Sequence, residues 1–155
     1  MNLSSRYNQL DGLLAKVGGW LQCLLLLVIR GWWGWSFFLT GKGKLMNLGK
    51  TTEFFASLDI PLPKLNAIVA GSTECLGGFL LLVGLFSRLV SVPLIFTMAV
   101  AYATADKDAL HAIFSDPDKF TGATPFLFLL ASVIVFVFGP GKLSLDALLF
   151  KRASK

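Results

Sequence analysis

The chain has 155 residues, of which 55% are hydrophobic and 15% are charged, and its mean hydropathy is +0.70. This composition excludes an ordinary soluble domain, which carries far more charge on its surface. The net charge of +5 does not indicate nucleic acid as a partner, because the lysines and arginines lie at the chain ends and between apolar stretches. We therefore expect one domain, residues 1–155, in contact with the lipid bilayer.

The first predicted membrane span covers residues 13–39 and ends in a tryptophan-rich and phenylalanine-rich stretch, which favours the headgroup boundary. Residues 40–64 then mix lysines with apolar side chains, as in a short helix lying on the membrane interface. Pro61 and Pro63 end this segment, because proline removes a backbone donor and restricts φ.

Three further spans are predicted, at residues 65–86, 89–105 and 124–138. The short turn at Ser87 and Arg88 makes the second and third spans antiparallel neighbours. Residues 106–122 are polar and are expected to form a solvated loop. The predicted fold is therefore an all-α membrane protein, a four-transmembrane-helix bundle with an interfacial segment between helices 1 and 2.

An even number of spans places both termini on one side of the membrane. The basic residues assigned to that side are Arg6, Lys16, Arg88, Lys142, Lys151, Arg152 and Lys155. They slightly outnumber the basic residues on the opposite side, so the distribution favours cytoplasmic termini.

Two ionisable side chains lie well inside the apolar spans, where such groups normally face a partner or a polar cavity. Arg30 precedes Leu39 by nine residues and Glu74 follows Leu65 by nine, so each lies about 13 Å below the same surface. We expect the two to form an ion pair, either as a structural clasp or as the lining of a functional pocket. The glycines expected to permit close helix approach beside them are Gly34, Gly41, Gly71, Gly77 and Gly78.

Lys44 and Arg88 are each predicted at a membrane edge. There they either extend toward the headgroups or hold an anionic headgroup, a quinone oxygen or a carboxylate. Cys23 and Cys75 are predicted at different depths, which disfavours a disulfide between them. Cys75, next to Glu74, is the better candidate for a reactive thiol, and no grouping of cysteine and histidine indicates a metal site.

Four sequence motifs follow one another in a defined order along nearly the whole chain. They are Arg30, Gly34, Phe37, Phe38, Gly41 and Lys44; Phe54 and Phe55 before Pro61 and Pro63; Glu74-Cys75-Leu76-Gly77-Gly78 through Gly84 to Arg88; and Gly139-Pro140-Gly141-Lys142-Leu143-Ser144-Leu145-Asp146. This ordered set resembles the DoxX-like family of small bacterial membrane proteins.

The resemblance implies a bacterial cytoplasmic-membrane protein that is a subunit or accessory of a redox or oxidative-stress system, with a quinone as candidate ligand. Whether it is itself an enzyme stays open: at most it is a membrane oxidoreductase subunit, because the CxxC of related thiol-oxidising enzymes is absent. The alternatives are a non-catalytic scaffold or assembly factor that binds a partner protein, and a small-molecule transporter if the chain forms a homo-oligomer.

Overall fold

A single long helix opens the chain. The structure, a computed structural model, describes the backbone of residues 3–150 and the side chains of residues 7–150. Helix α1 runs from Leu3 to Met46 and contains 44 residues. At about 1.5 Å per residue it is about 66 Å long, roughly twice the hydrocarbon thickness of a bilayer. The helix continues for seven residues past Leu39, the predicted end of the first span.

The interfacial segment and the next two helices follow the predicted order. Helix α2 is Leu48–Ser57 and has no buried residue, in keeping with a helix at the interface. Helix α3 is Pro63–Val83, with its proline in the first turn, where a missing backbone N–H costs nothing. Helix α4 is Ser87–Thr104.

A tight turn joins α3 to α4. Gly84 has a φ of +74° and ends α3, with its N–H donating to the Leu81 carbonyl at 3.1 Å. Leu85 donates to the Leu80 carbonyl at 2.9 Å, which completes the usual closure of a helix C-terminus. The turn therefore lies slightly earlier than the predicted position, and α3 and α4 are antiparallel neighbours.

The polar segment between the third and fourth spans is not a loop, which corrects the prediction for residues 106–122. It contains two short helices, α5 at Lys107–His111 and α6 at Pro117–Gly122. Asp116 caps α6 by accepting from the Lys119 N–H at 3.2 Å. Helix α7, Thr124–Phe138, has the bounds predicted for the fourth span, and α8 is Leu145–Leu149.

The helices pack as a bundle around a small apolar core. The C-terminal part of α1 packs mainly on α3, and α4 packs on α7. The buried core residues shared by these helices are Phe37, Leu81, Val90, Leu94, Met98 and Val135. In residues 3–150, α1, α3 and α4 are long and apolar enough to cross a membrane, and α7 is a shorter apolar helix. The prediction of an all-α membrane protein is confirmed.

The N-terminal part of α1 extends past the bundle. Every residue from Tyr7 to Gln22 is exposed, although apolar side chains such as Leu14 and Trp20 recur along it. Several of the basic residues used to predict the orientation, Arg6, Lys151, Arg152 and Lys155, lie outside the residues whose side chains are described.

Candidate functional site: a buried Lys44–Glu74 pair between two cavities

Glycines bring the backbones of α1 and α3 into direct contact. A Cβ atom added to Gly41 would lie 2.2 Å from the Cys75 nitrogen, and one added to Gly78 would lie 2.4 Å from the Phe38 nitrogen. A Cβ atom added to Gly34 would lie 2.7 Å from the Leu82 nitrogen on α3, whereas Gly77 faces Leu94 on α4. Glycine on both helices permits this approach, as in other membrane helix pairs.

This antiparallel register separates Arg30 from Glu74. Gly41 lies opposite Cys75, which places Glu74 near the level of Gly41, whereas Arg30 lies against Gly84 at the end of α3. Glu74 and Gly84 are ten residues apart, which is about 15 Å along a helix. The predicted Arg30–Glu74 ion pair is therefore corrected: α1 continues past Leu39, so counting residues from Leu39 placed Arg30 at the wrong depth.

Glu74 pairs instead with Lys44. The Lys44 ammonium donates to both carboxylate oxygens of Glu74. The Glu74 side chain is 1% exposed and that of Lys44 is 31% exposed, so the carboxylate is the more deeply buried partner. Lys44 thus neutralises a charge in the interior, which corrects the interpretation of this residue as a cation extending toward the headgroups.

One cavity lies beside this pair, between α2, α3 and α4. Its volume is about 350 Å³. Its walls are largely apolar and aromatic, with Phe54 and Phe55 from α2 and Phe96 from α4. Phe96 and Val69, which also line it, are exposed on the outer surface of the bundle, so the cavity opens on the face of α3 and α4, two helices long and apolar enough to cross a membrane. Lys44 and Glu74 are the charged residues of its lining.

A second, smaller cavity lies on the other side of the same pair, toward α7. Its volume is about 160 Å³, and it too is lined by Lys44 and Glu74. Its lining includes Phe128 from α7 and Asp106, which precedes α5. The buried ion pair thus lines both an apolar cavity and a smaller one that reaches Asp106, just before the polar α5–α6 segment.

Arg30 belongs to a separate cluster at the opposite end of the bundle. It is 1% exposed and its Nη2 donates to the Leu143 carbonyl in the C-terminal tail. Its Nε and Nη1 have no hydrogen-bond partner among the described residues. Gly84 makes room for the guanidinium, because an added Cβ would lie 1.6 Å from Nη1. Asp146 lies at the same end of the bundle, because its N–H donates to the carbonyl of Gly84, the residue against which Arg30 packs.

Asp146 is a structural residue that the sequence did not single out beyond its place in the tail motif. Its carboxylate accepts from the Phe86 N–H at 2.7 Å and from the Ser87 N–H at 3.0 Å, at the start of α4. Its own N–H donates to the Gly84 carbonyl at 2.9 Å. The tail therefore caps α4 from 60 residues away, and no local sequence pattern indicates a partner at that separation.

The other predicted site residues lie apart from the ion pair. Arg88 donates to the Val137 carbonyl at 3.2 Å and so joins α4 to the end of α7. Cys23 and Cys75 are both free thiols, in agreement with the predicted absence of a disulfide. Cys75 is half-buried beside Glu74 but lines neither of the cavities that Glu74 lines, and its reactivity stays a prediction.

Comparison with known proteins finds one matching family and several similar proteins. The sequence model of the DoxX family matches residues 25–107. A Bacillus subtilis protein named "Putative oxidoreductase CatD" is 35% identical over 128 residues, covering 83% of this chain and 87% of that protein. "Inner membrane protein YphA" of Escherichia coli is 32% identical over 129 residues, covering 79% of this chain and 89% of that protein. No solved structure matches the chain.

Proposed function

The chain belongs to the DoxX family, and from this premise we propose that it binds a lipophilic carbonyl compound, a quinone, at Lys44–Glu74 as a subunit or accessory of a membrane redox system. The observation that carries the proposal is the buried ion pair in the wall of an apolar cavity that opens toward lipid. The name of the Bacillus subtilis relative supports the redox role, and that of the Escherichia coli relative supports an inner-membrane location. Cytoplasmic termini are part of the same proposal.

The chemistry of the cavity fits a quinone better than a strongly polar solute. The Lys44 ammonium donates a hydrogen bond to a quinone carbonyl oxygen, and Phe54, Phe55 and Phe96 offer apolar and aromatic surface to the ring. The volume of about 350 Å³ is within the range of ordinary small-molecule sites. Because the mouth faces the bilayer, an isoprenoid tail can remain in lipid while the head group reaches the ion pair.

The test is mass spectrometry and absorption spectroscopy of the protein extracted in a mild, lipid-preserving detergent. We expect a stoichiometric quinone on the wild-type protein. Ala70→Phe, which fills the cavity, should reduce the bound quinone on the order of tenfold or more. Ala99→Phe is the matched control, because Ala99 is exposed on α4 and does not line the cavity.

A charge-neutral variant separates binding from folding. Lys44→Met combined with Glu74→Leu removes both charges and avoids leaving either one buried alone. We expect this double variant to fold and to lose the quinone, whereas Lys42→Met, at an exposed position two residues away, should retain it. A colourless wild-type protein that carries only bulk lipid would contradict the redox proposal.

A second candidate function is a membrane scaffold or assembly factor. It is favoured by the N-terminal part of α1, where exposed apolar side chains such as Leu14 and Trp20 extend past the bundle. A partner protein or a second copy of the chain would cover this surface. Cross-linking in native membranes from a cysteine placed at Leu14 tests this candidate, which predicts a discrete cross-linked product that Trp20→Ser weakens. A transporter role would also require such an oligomer.

A further inference from the structure

We propose that a hydrated path leads from the α5–α6 segment past Asp106 to Glu74, so that Glu74 exchanges protons with the aqueous phase while facing the apolar cavity. The proposal concerns the same ion pair as the proposed function, but it does not depend on which ligand occupies the cavity. It assigns a role to Asp106, the residue at which two cavities meet.

Three adjoining cavities define the path. An open polar cavity of about 630 Å³, here called the vestibule, lies between the end of α4 and the segment formed by α5 and α6. Its charged lining residues are Asp106, Lys107, Asp108, Asp118 and Lys119. The cavity of about 160 Å³ described above, here called the inner cavity, shares Asp106 with the vestibule and reaches Glu74. The apolar cavity of about 350 Å³ lies beyond Glu74 and shares Lys44, Glu74 and Ala101 with it.

The order of polar groups along these cavities is that of a proton relay. Asp106 is half-buried and borders both the vestibule and the inner cavity. Glu74 borders both the inner cavity and the apolar one. The cations that line these cavities are Lys44, bonded to Glu74, and Lys107 and Lys119, which line the vestibule. Carboxylates inside membrane-spanning bundles are among the groups that form proton relays.

The proton transfer balances without any further reactant. The Asp106 carboxylate takes a proton from water in the vestibule and passes it through water in the inner cavity to the Glu74 carboxylate. Neutral Glu74 then gives the proton to the Asp106 carboxylate through water in the inner cavity. Asp106 releases it to water in the vestibule, which returns both carboxylates to their starting state.

Aqueous access to the inner cavity is tested with Ag⁺, a small thiol-reactive ion, on protein washed free of lipophilic ligands. In a background with Cys23→Ser and Cys75→Ser, Met98→Cys places a thiol in the inner cavity. Leu94→Cys, one helical turn away on the same helix, is the buried control and lines none of these three cavities. Protection of each thiol from a fluorescent maleimide, added after denaturation, reports the reaction with Ag⁺.

We expect Ag⁺ to modify Met98→Cys from the side of the membrane that also modifies Lys107→Cys in the vestibule, and to leave Leu94→Cys unmodified. Adding Asp106→Leu should slow the modification of Met98→Cys on the order of tenfold or more. An apolar side chain at this position excludes water from the place where the vestibule meets the inner cavity. Asp108→Leu is the matched control, since Asp108 lines the vestibule alone. An unreactive Met98→Cys, or equal effects of the two leucine substitutions, would overturn the path.

The proton step has its own test. After a laser-released proton jump, the infrared band of the Glu74 carboxyl, identified by its loss in Glu74→Gln, should respond. In Asp106→Asn we expect that response to slow on the order of tenfold or more, whereas in Asp108→Asn it should be unchanged. A response that is independent of Asp106, or no Glu74 response over the pH range in which the protein is folded, would overturn the relay. Neither experiment requires a bound quinone, so its failure is distinct from failure of the proposed function.

Discussion

Lys44 donates to both carboxylate oxygens of Glu74 although the two residues are 30 positions apart and lie on different helices. The carboxylate is almost completely buried, whereas the lysine stem reaches down from a less buried level of α1. A side chain on a helix points toward the N-terminus of that helix. Lys44 therefore reaches toward Glu74 and away from the near membrane surface.

Removing one partner of this pair should destabilise the bundle strongly. We expect Lys44→Met alone to lower the free energy of unfolding by about 3–5 kcal/mol, because Glu74 is left buried without a counter-charge. Lys44→Met with Glu74→Leu should recover most of that loss. Detergent denaturation of the single and double variants measures the effect, with Lys42→Met as control. A double variant as unstable as the sum of the two singles would contradict the pairing.

The same method tests the separation of Arg30 from Glu74. Arg30→Met and Glu74→Leu should have additive effects on the free energy of unfolding, with a coupling below about 0.5 kcal/mol, because the two side chains have different partners. The measurement is a double-mutant cycle under the denaturation conditions used for Lys44. A coupling of several kcal/mol would restore the ion pair expected from the sequence.

The close approach of α1 and α3 should be sensitive to a single methyl group. Gly41→Ala places a Cβ atom 2.2 Å from the Cys75 backbone nitrogen, so the helices must separate, at a cost of about 1–3 kcal/mol or more. Gly43→Ala is the control two residues away, where an added Cβ meets nothing within 4 Å. Thermal unfolding in detergent should show a lower midpoint for Gly41→Ala alone. Equal midpoints for the two variants would argue against this packing.

The long-range cap made by the C-terminal tail should contribute to stability as a local cap does. Asp146→Ala removes the acceptor for the Phe86 and Ser87 N–H groups and should cost about 1–2 kcal/mol. Hydrogen exchange at the start of α4 measures it and should become faster there. Asp11→Ala, an exposed acidic residue on α1, provides the control. Unchanged exchange at Phe86 and Ser87 would contradict the assignment.

Much of the fold follows from local sequence. Apolar stretches long enough to cross a bilayer, separated by prolines and polar segments, predicted the order of the helices, and the predicted fourth span coincides with α7. The ends of α1 were harder to predict. The first span was expected to end near Leu39, after its aromatic stretch, but Gly41 packs on the α3 backbone and the helix continues to Met46.

The candidate site was predicted in part. Glu74 stood out because a carboxylate in an apolar stretch needs a partner, and that requirement depends only on the cost of burying a charge. The identity of the partner depended on the register of α1 against α3, which a shift of a few residues changes by several ångströms. Asp106 gave no comparable signal, because an aspartate between two helices is ordinary in a polar segment.

The sequence by itself determined that this is an all-α membrane protein of the DoxX family and that Glu74 requires compensation. These conclusions follow from composition, from ordered motifs and from the energetics of single residues in lipid. Only the tertiary structure decided that Lys44 compensates Glu74, that Arg30 and Asp146 both lie at Gly84 at the other end, and that Glu74 lines two cavities. Each of these depends on distances between helices, and such distances arise from the packing of glycines and side chains far apart in the chain.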